Sequence, residues 1–375
     1  MFQNPHRSPY RLPDRDLIGR RHAATVRELL SSCPAHRPTE LRSLPRLAAE
    51  AGLAGVHLKA EWDRMGLSSF KALGGAYAVA LLVKARAEAS LGRPVGPEEL
   101  QSPAVRSTAR GMTVVCASAG NHGLSVAAGA RVFGADAVVF LNEAVPEAFA
   151  VRLRDRGAVV KRGGATYEES VTLATAEAER RGWDLVSDVA GPDDWKTPLE
   201  VMRGYTVLFE EAADSLELDG GPASHVFIQA GVGGLAAAAA GYLRDRWGEG
   251  FQLVVVEPEG AACVTESVRQ GRPVRLVGGG SALGRLDCKQ PSHLAFELLS
   301  RLADAFILVS DAEAERAAAG LGDEGAPVSA CGAAGAAGLF AACRDGGVRT
   351  RLGLAARSRV LLIGSEAAGP PDGQT

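Results

Sequence analysis

Three short stretches of the chain carry side chains that could do chemistry. The first, "SSFKALGGA", places Lys71 among apolar, small and hydroxylic residues at the start of a predicted helix. A lysine drawn out of water either finds a charged partner or its pKa falls, and the neutral amine is then a nucleophile. A lysine at a helix start can also extend its ammonium into solvent, so Lys71 alone does not decide between these interpretations.

The second stretch, "CASAGNHG", runs from a predicted strand through a small polar loop into a helix. Ligands of α/β sheets bind at the carboxyl ends of strands, in loops of this kind. The amide of Asn121 can donate to a ligand oxygen, and the free N–H groups at a helix start suit an anion. An ordinary strand-to-helix turn that uses Asn and Gly for their backbone freedom remains the alternative.

The third stretch, "IQAGVGGLAAAAAGYL", joins a predicted strand to an alanine-rich helix through Gly231, Gly233 and Gly234. Glycines let a backbone approach a phosphate closely, and the helix N-terminus adds free N–H groups. The stretch is not GxGxxG, because Ala236 stands where the last glycine would fall, and it lacks the Lys-Ser/Thr ending of a P-loop. A lysine, a polar loop and a glycine-rich phosphate site together describe a site for pyridoxal 5′-phosphate.

The elements that must position these stretches alternate between short apolar runs and longer helical patterns. Such alternation predicts an α/β fold with parallel sheets covered by helices. The predicted strands are 56–59, 113–116, 137–141, 159–162, 225–229, 253–256, 305–309 and 360–363. The predicted helices are 69–85, 122–133, 167–181, 199–213, 234–247, 312–319 and 333–343. Residues 87–111 lack an apolar face and predict an exposed excursion.

Composition restricts the class of protein. The chain has 375 residues, a formal net charge of −3 and 46% hydrophobic residues, so we expect a packed core and no nucleic-acid partner. No apolar run approaches the ~20 residues needed to cross a bilayer, and we expect no membrane association. The N-terminus is too charged for a secretory signal, and six cysteines without CxxC spacing predict free thiols and no metal site. We therefore expect a cytoplasmic protein.

The order of the three stretches resembles that of the fold type II pyridoxal-phosphate enzymes, the group of threonine dehydratase, cysteine synthase and the tryptophan synthase β chain. Within this group, "RMGLSSFKALGGAYA", "MRGYTVLFEE", "SHVFIQAGVGGLAAAAAGYL" and "VVVEPEGAACVTESV" are most similar to the 2,3-diaminopropionate ammonia-lyases. The resemblance implies two α/β domains with parallel or mixed sheets. Residues 1–80 with 200–375 would form the large cofactor-binding domain, and residues 81–199 would form the small domain with the asparagine loop.

The resemblance also assigns roles. Lys71 would bond to the cofactor aldehyde and later remove the α-proton of an amino-acid substrate. The other implied cofactor contacts are Phe70 against the ring, Asn121 at the 3′-oxygen, Ser365 at the pyridine nitrogen, and Gly231, Val232, Gly233, Gly234 and Leu235 at the phosphate. The implied substrate contacts are Ser118, Ala119, Gly120 and His122, although the histidine at this position of the family is structural. Asp287, which departs from the family, is a further candidate substrate contact.

Two departures from the lyases concern the substrate. Those enzymes have an aspartate, the second acid/base that lets them process the D-isomer, where this chain has Ala119. "SAGNHG" instead resembles the threonine and serine dehydratases, which act on L-isomers. Asp287 and Lys289 replace residues that are usually small, and form either a contact to the distal group of the substrate or a solvated pair.

These observations predict a pyridoxal-phosphate-dependent lyase. It would catalyse α,β-elimination of an L-amino acid with a β leaving group, giving a 2-oxo acid and ammonia. The alternatives are a β-replacement enzyme, in which a second nucleophile captures the intermediate, and a cofactor-binding homologue that has lost catalysis. The resemblance alone implies a homodimer.

Overall fold

Two β-sheets with helices on their faces form the framework of the chain in the computed structural model, which describes residues 1–118 and 120–369. The strands are β1 (Phe2–Gln3), β2 (Leu41–Ser43), β3 (Gly55–Ala60), β4 (Thr113–Ala117), β5 (Asp136–Leu141), β6 (Val159–Arg162), β7 (Asp184–Leu185), β8 (His225–Gln229), β9 (Gln252–Pro258), β10 (Ala305–Val309) and β11 (Arg359–Gly364).

The larger sheet has seven strands in the order β1-β10-β9-β8-β11-β3-β2, and only its edge strands β1 and β2 pair antiparallel. The smaller sheet has four parallel strands in the order β6-β5-β4-β7. The inner strands are buried along most of their length, which explains their apolar sequences. The predicted α/β class with parallel and mixed sheets is confirmed.

Helices cover both sheets. They are α1 (Leu12–Leu17), α2 (Arg20–Leu30), α3 (Pro45–Ala51), α4 (Lys71–Leu91), α5 (Pro103–Ala109), α6 (Asn121–Phe133), α7 (Glu147–Arg154), α8 (Tyr167–Arg181), α9 (Lys196–Gly204), α10 (Thr206–Leu218), α11 (Gly234–Trp247), α12 (Cys263–Gln270), α13 (His293–Leu302), α14 (Asp311–Gly322), α15 (Ala330–Arg344) and α16 (Gly346–Leu352). Short 3₁₀ helices lie at Glu61–Gly66, Pro97–Glu99 and Glu259–Ala261. Within the described residues, no helix combines the length and hydrophobicity that a membrane span requires.

Helix α4 packs between α6 and α9, and the glycine pair after Lys71 makes this possible. A Cβ at Gly74 would lie 2.5 Å from the ring of Tyr205, and a Cβ at Gly204 would lie 2.7 Å from the Cα of Gly74. On the other side, a Cβ at Gly75 would lie 2.5 Å from Oγ of Ser125. Side chains at these positions would force the helices apart, so the glycines fix the position of the helix that carries Lys71.

Two sequence expectations differ from the structure. Residues 87–111 are not an exposed excursion: they contain the end of α4 and helix α5, and bury Val95, Leu100 and Val105. The predicted helix 199–213 is two helices, α9 and α10, which meet at Tyr205. Helix α4 runs across the predicted domain boundary at residue 81, and the division into two domains stays a prediction.

Candidate active site

Lys71 is the first residue of α4, and backbone contacts from a distant segment hold the residues before it. Phe70 N–H donates to the carbonyl of Ser365 at 3.0 Å, and Ala367 N–H donates to the carbonyl of Ser68 at 3.0 Å. Ser68 itself has φ +60°, a left-handed conformation that costs energy for a residue with a side chain. These hydrogen bonds to the segment after β11 therefore stabilise the strained turn that orients Lys71.

The ammonium of Lys71 forms an ion pair with the carboxylate of Asp188. The two side chains are 27% and 9% exposed, so water screens this pair only in part. Burial disfavours the ammonium, but Asp188 outweighs burial and raises the pKa of Lys71 above its ordinary value. Burial likewise disfavours the carboxylate, yet His122 and Lys71 hold the pKa of Asp188 below its ordinary range. Both groups are charged near neutral pH.

The ring of His122 is buried beside this pair. Its Nε2 lies 2.8 Å from the carbonyl of Val186, which assigns the proton to Nε2 and leaves Nδ1 without a partner among the described residues. Burial is the largest influence on His122 and lowers its pKa, so the ring is neutral at pH 7. This arrangement agrees with a packing role for His122 rather than with a general base.

The asparagine loop between β4 and α6 is closed by its own serine. Oγ of Ser118 accepts from the N–H groups of Gly120 at 3.1 Å and Gly123 at 2.9 Å. The amide of Asn121 donates to Oε2 of Glu366 at 2.7 Å. The loop is therefore tied to the end of β11, next to the residues that hold Lys71. The contacts of Asn121 to the cofactor and of Ser118 to the substrate stay predictions.

The glycine loop joins β8 to α11 as predicted. Among the described residues, no acceptor receives the N–H groups of residues 231–235. Gly233 has φ +94°, and a Cβ at Gly231 would lie 3.0 Å from Sγ of Cys288 and 3.1 Å from the carbonyl of Arg285. A row of free N–H groups at the start of a fourteen-residue helix is suited to bind a phosphate.

Ser365 follows β11 directly and is buried. Its hydroxyl accepts from the side-chain amide of Gln229 at 2.8 Å. Because the hydroxyl accepts there, its own proton is available to an acceptor such as an unprotonated pyridine nitrogen.

Phe70 and Tyr205 form the aromatic side of the cluster. Their ring centroids are 4.9 Å apart in an edge-to-face arrangement, and Nζ of Lys71 lies 5.9 Å from the centroid of Phe70. The buried hydroxyl of Tyr205 has no partner among the described residues. It lies within electrostatic reach of Lys71 and Asp188, and burial raises its pKa above the ordinary value. Such a hydroxyl is suited to donate to a ligand in this space.

The structure brings together the predicted residues from all three stretches and Ser365, and adds Asp188, Tyr205 and Glu366, which sequence reasoning missed. Tyr205 lies in "MRGYTVLFEE", a stretch that resembles the lyases, and Glu366 follows Ser365, so both positions offered a signal; Asp188 stands in no recognisable motif. Asp287 pairs with Lys289 at 2.6 Å, and its contact to the substrate stays a prediction. Ala119 lies outside the described residues.

These residues fit the predicted cofactor. An amine at Lys71 can bond to an aldehyde, the N–H groups of residues 231–235 can bind a phosphate, and the hydroxyl of Ser365 can face a ring nitrogen.

Comparison with known proteins agrees with this chemistry. Residues 33–364 match the family model described as "Pyridoxal-phosphate dependent enzyme". Diaminopropionate ammonia-lyase of Escherichia coli (strain K12) is 32% identical over 301 residues, which cover 80% of this chain and 74% of that protein. A crystal structure of the Escherichia coli diaminopropionate ammonia lyase in complex with D-serine superposes with a TM-score of 0.87 at 29% identity, covering 97% of this chain and 93% of that one. The human protein "Serine dehydratase-like" is 30% identical over 223 residues, or 59% of this chain and 65% of that protein.

Proposed function

Because the chain belongs to the family of pyridoxal-phosphate-dependent enzymes, we propose that it is a lyase acting on an L-amino acid with a β leaving group. The products would be the free leaving group, a 2-oxo acid and ammonia. The observation that carries this proposal is that one site combines the Lys71–Asp188 pair, the free N–H groups of residues 231–235 and the buried hydroxyl of Ser365. The relatives named diaminopropionate ammonia-lyase support elimination.

The cofactor, when bound, supplies an electron sink that makes the α-proton of an amino acid acidic. Ser365 is a neutral partner for the ring nitrogen, which favours β-elimination over transamination. Lys71 is the group that accepts the α-proton. Asp188 stays ionised at neutral pH, so it can hold the ammonium that Lys71 then becomes and keep it in place. The electron pair left at Cα forms the Cα=Cβ double bond as the β-substituent departs with the electron pair of its bond to Cβ, and the ammonium of Lys71 can return its proton to the leaving group. The enamine released is hydrolysed to the 2-oxo acid and ammonia.

We propose that the enzyme acts on L-isomers only. Lys71 is one base. The aspartate that the resemblance implies as the second base of the diaminopropionate ammonia-lyases is replaced in this sequence by Ala119, whose side chain is a methyl group. A methyl group cannot accept a proton, so an α-hydrogen on the face opposite Lys71 would have no base. From the resemblance alone, we also propose a homodimer with domain boundaries near residues 81 and 199, and from the composition we propose that it is cytoplasmic.

The test is release of ammonia and 2-oxo acid by the purified holoenzyme. The panel contains L- and D-2,3-diaminopropionate, L-serine, L-threonine and further β-substituted L-amino acids. Lys71→Ala is expected to abolish release, and Lys84→Ala, which removes a surface lysine of the same helix α4, is expected to leave it unchanged. Equal release by Lys71→Ala and the wild type would overturn the proposal.

A further inference from the structure

Arg285 lies in the loop between α12 and α13, and the chemistry proposed above does not use it. Its backbone packs on the glycine loop, since its carbonyl is 3.1 Å from the position of a Cβ at Gly231. Its side chain reaches the asparagine loop, where Nε is 3.7 Å from the position of a Cβ at Gly120. Arg285 therefore contacts both loops that border the candidate active site.

A buried carboxylate orients this guanidinium. Nε of Arg285 forms an ion pair with Oε2 of Glu366 at 2.9 Å. The carboxylate of Glu366 also accepts from Asn121 at 2.7 Å and from the hydroxyl of Ser329 at 2.7 Å, so both of its oxygens are engaged. The two terminal nitrogens of Arg285 have no hydrogen-bond partner within residues 1–118 and 120–369, and the side chain is 44% exposed. A guanidinium fixed at Nε with two free terminal nitrogens can bind an anion through parallel hydrogen bonds.

Helix α7 adds positive charge beside Arg285. The guanidinium carbons of Arg285 and Arg152 lie 6.0 Å and 5.0 Å from the ring centroid of Phe149, which is on α7. Arg156 donates to the carbonyl of Arg152 at 3.2 Å. In the part of the chain that the structure describes, neither Arg152 nor Arg156 has a carboxylate partner. Burial and the two neighbouring guanidinium groups lower the pKa of Arg152, as expected for cations held together without a counter-charge.

We propose that Arg285, together with Arg152, binds an anionic group at the distal end of the substrate. The ligand class is an L-amino acid whose β-substituent carries a phosphate, sulfate or carboxylate. This inference rests on the proposed function and specifies the substrate of that site.

The charge around Arg285 favours a substrate with an anionic distal group over one with a cationic distal group. Arg285, Arg152 and Arg156 lie close together. The carboxylate paired with Arg285, Glu366, also accepts from Asn121 and Ser329, and the nearby carboxylate of Asp287 is paired with Lys289. Glu366 accepts from Asn121 of the asparagine loop and follows Ser365, whose carbonyl accepts from Phe70 N–H, so Arg285 lies beside the candidate active site. A cationic β-ammonium group would meet like charges there, whereas an anion would gain hydrogen bonds from the free nitrogens of Arg285.

The test measures binding without turnover. Holoenzyme is titrated by calorimetry with amino acids that have no β leaving group and differ in distal charge. The anionic ligands are L-2-amino-3-phosphonopropionate, L-homocysteate and L-aspartate; L-norvaline is neutral and L-2,4-diaminobutyrate is cationic. The wild type should bind at least one anionic ligand about 10- to 100-fold more tightly than L-norvaline, and the cationic ligand most weakly. The order of the three anions tells phosphate, sulfate and carboxylate apart.

Variants assign the preference to its residue. Arg285→Gln should remove most of the preference, and Arg285→Lys, which keeps the charge without the planar fork, should retain part of it. Arg316→Gln, at an exposed arginine of α14, should bind as the wild type does. Equal binding of anionic and neutral ligands by the wild type, or a full preference in Arg285→Gln, would overturn the inference. An anion preference in a protein that releases no 2-oxo acid would overturn the proposed elimination and leave the anion site standing.

Discussion

Replacing Asp188 by asparagine removes one negative charge and leaves the shape of the side chain almost unchanged. In the cofactor-free protein, Asp188 opposes the effect of burial on Lys71, so without the carboxylate the effect of burial prevails and the pKa of Lys71 falls. Hydrogen bonds to charged groups contribute ~1.5–3 kcal/mol. Since 1.36 kcal/mol corresponds to one pKa unit, the pKa of Lys71 should fall by about one to two units in Asp188→Asn. The neutral fraction of the amine at neutral pH should rise by about 10- to 100-fold.

The assay follows covalent attachment of pyridoxal phosphate to the apoprotein, by absorbance and by borohydride trapping, from neutral to alkaline pH. The midpoint of the rate profile should move to lower pH in Asp188→Asn. Elimination should nevertheless slow by about 100- to 10,000-fold, because nothing then holds the ammonium that carries the α-proton.

Asp323→Asn is the matched control, since it removes a surface carboxylate 3.6 Å from Arg46 and should shift neither quantity. A midpoint that stays in place, or moves to higher pH, in Asp188→Asn would refute the electrostatic reasoning. If attachment becomes faster but elimination is not slowed, the electrostatic reasoning would stand and only the catalytic role of Asp188 would be refuted.

Two further predictions concern the cofactor loop and the stability of the fold. Gly233→Ala places a Cβ 3.0 Å from that of Ala295 on a backbone with φ +94°, so strain of ~1–3 kcal/mol should weaken cofactor binding by about tenfold or more in a fluorescence titration. Burial raises the pKa of Glu257 to about 7, although three hydrogen bonds from Val264 and Thr265 act in the opposite direction. The contribution of Glu257 to the stability of the fold is therefore present below pH 4.5 and is lost as pH rises through 7. Urea unfolding should show that Glu257→Gln removes up to about 3 kcal/mol of this pH dependence.

One result would contradict the prediction for Gly233→Ala, and another would contradict the prediction for Glu257→Gln. Wild-type cofactor affinity in Gly233→Ala would mean that the loop does not need its left-handed glycine; Gly284→Ala, at an open position with no neighbour near its Cβ, is the control. A pH dependence of unfolding in Glu257→Gln as steep as in the wild type would assign it to other groups.

The parts of the site that the sequence predicts are local. Lys71 at a helix start and the glycine loop between β8 and α11 each lie in one continuous stretch, where strand, turn and helix signals reinforce one another. The inner strands were predictable for the same reason, because they are short apolar runs bounded by turns. The shortest strands β1, β2 and β7, of two or three residues, carry too little pattern to be found this way.

The parts that sequence reasoning missed depend on contacts between distant segments. Asp188 stands more than a hundred positions from Lys71, and only the folded chain pairs them. Glu366 joins Asn121, Ser329 and Arg285 from separate elements, so no spacing rule could have found the cluster. The prediction for residues 87–111 was wrong for a related reason. Their scattered apolar side chains have no period of their own, and they are buried by packing against other elements.

The most direct test of the account is the turnover of two enantiomers by the holoenzyme. The substrate that gives the fastest release in the panel is offered as its L- and D-form, and 2-oxo acid and ammonia are followed together. Elimination at Lys71 with no second base predicts one ammonia per 2-oxo acid from the L-isomer, or two if the substrate is 2,3-diaminopropionate, whose leaving group is also ammonia. It predicts no product from the D-isomer, and none from either isomer in Lys71→Ala. Turnover of the D-isomer at a rate comparable to that of the L-isomer would contradict a single-base site.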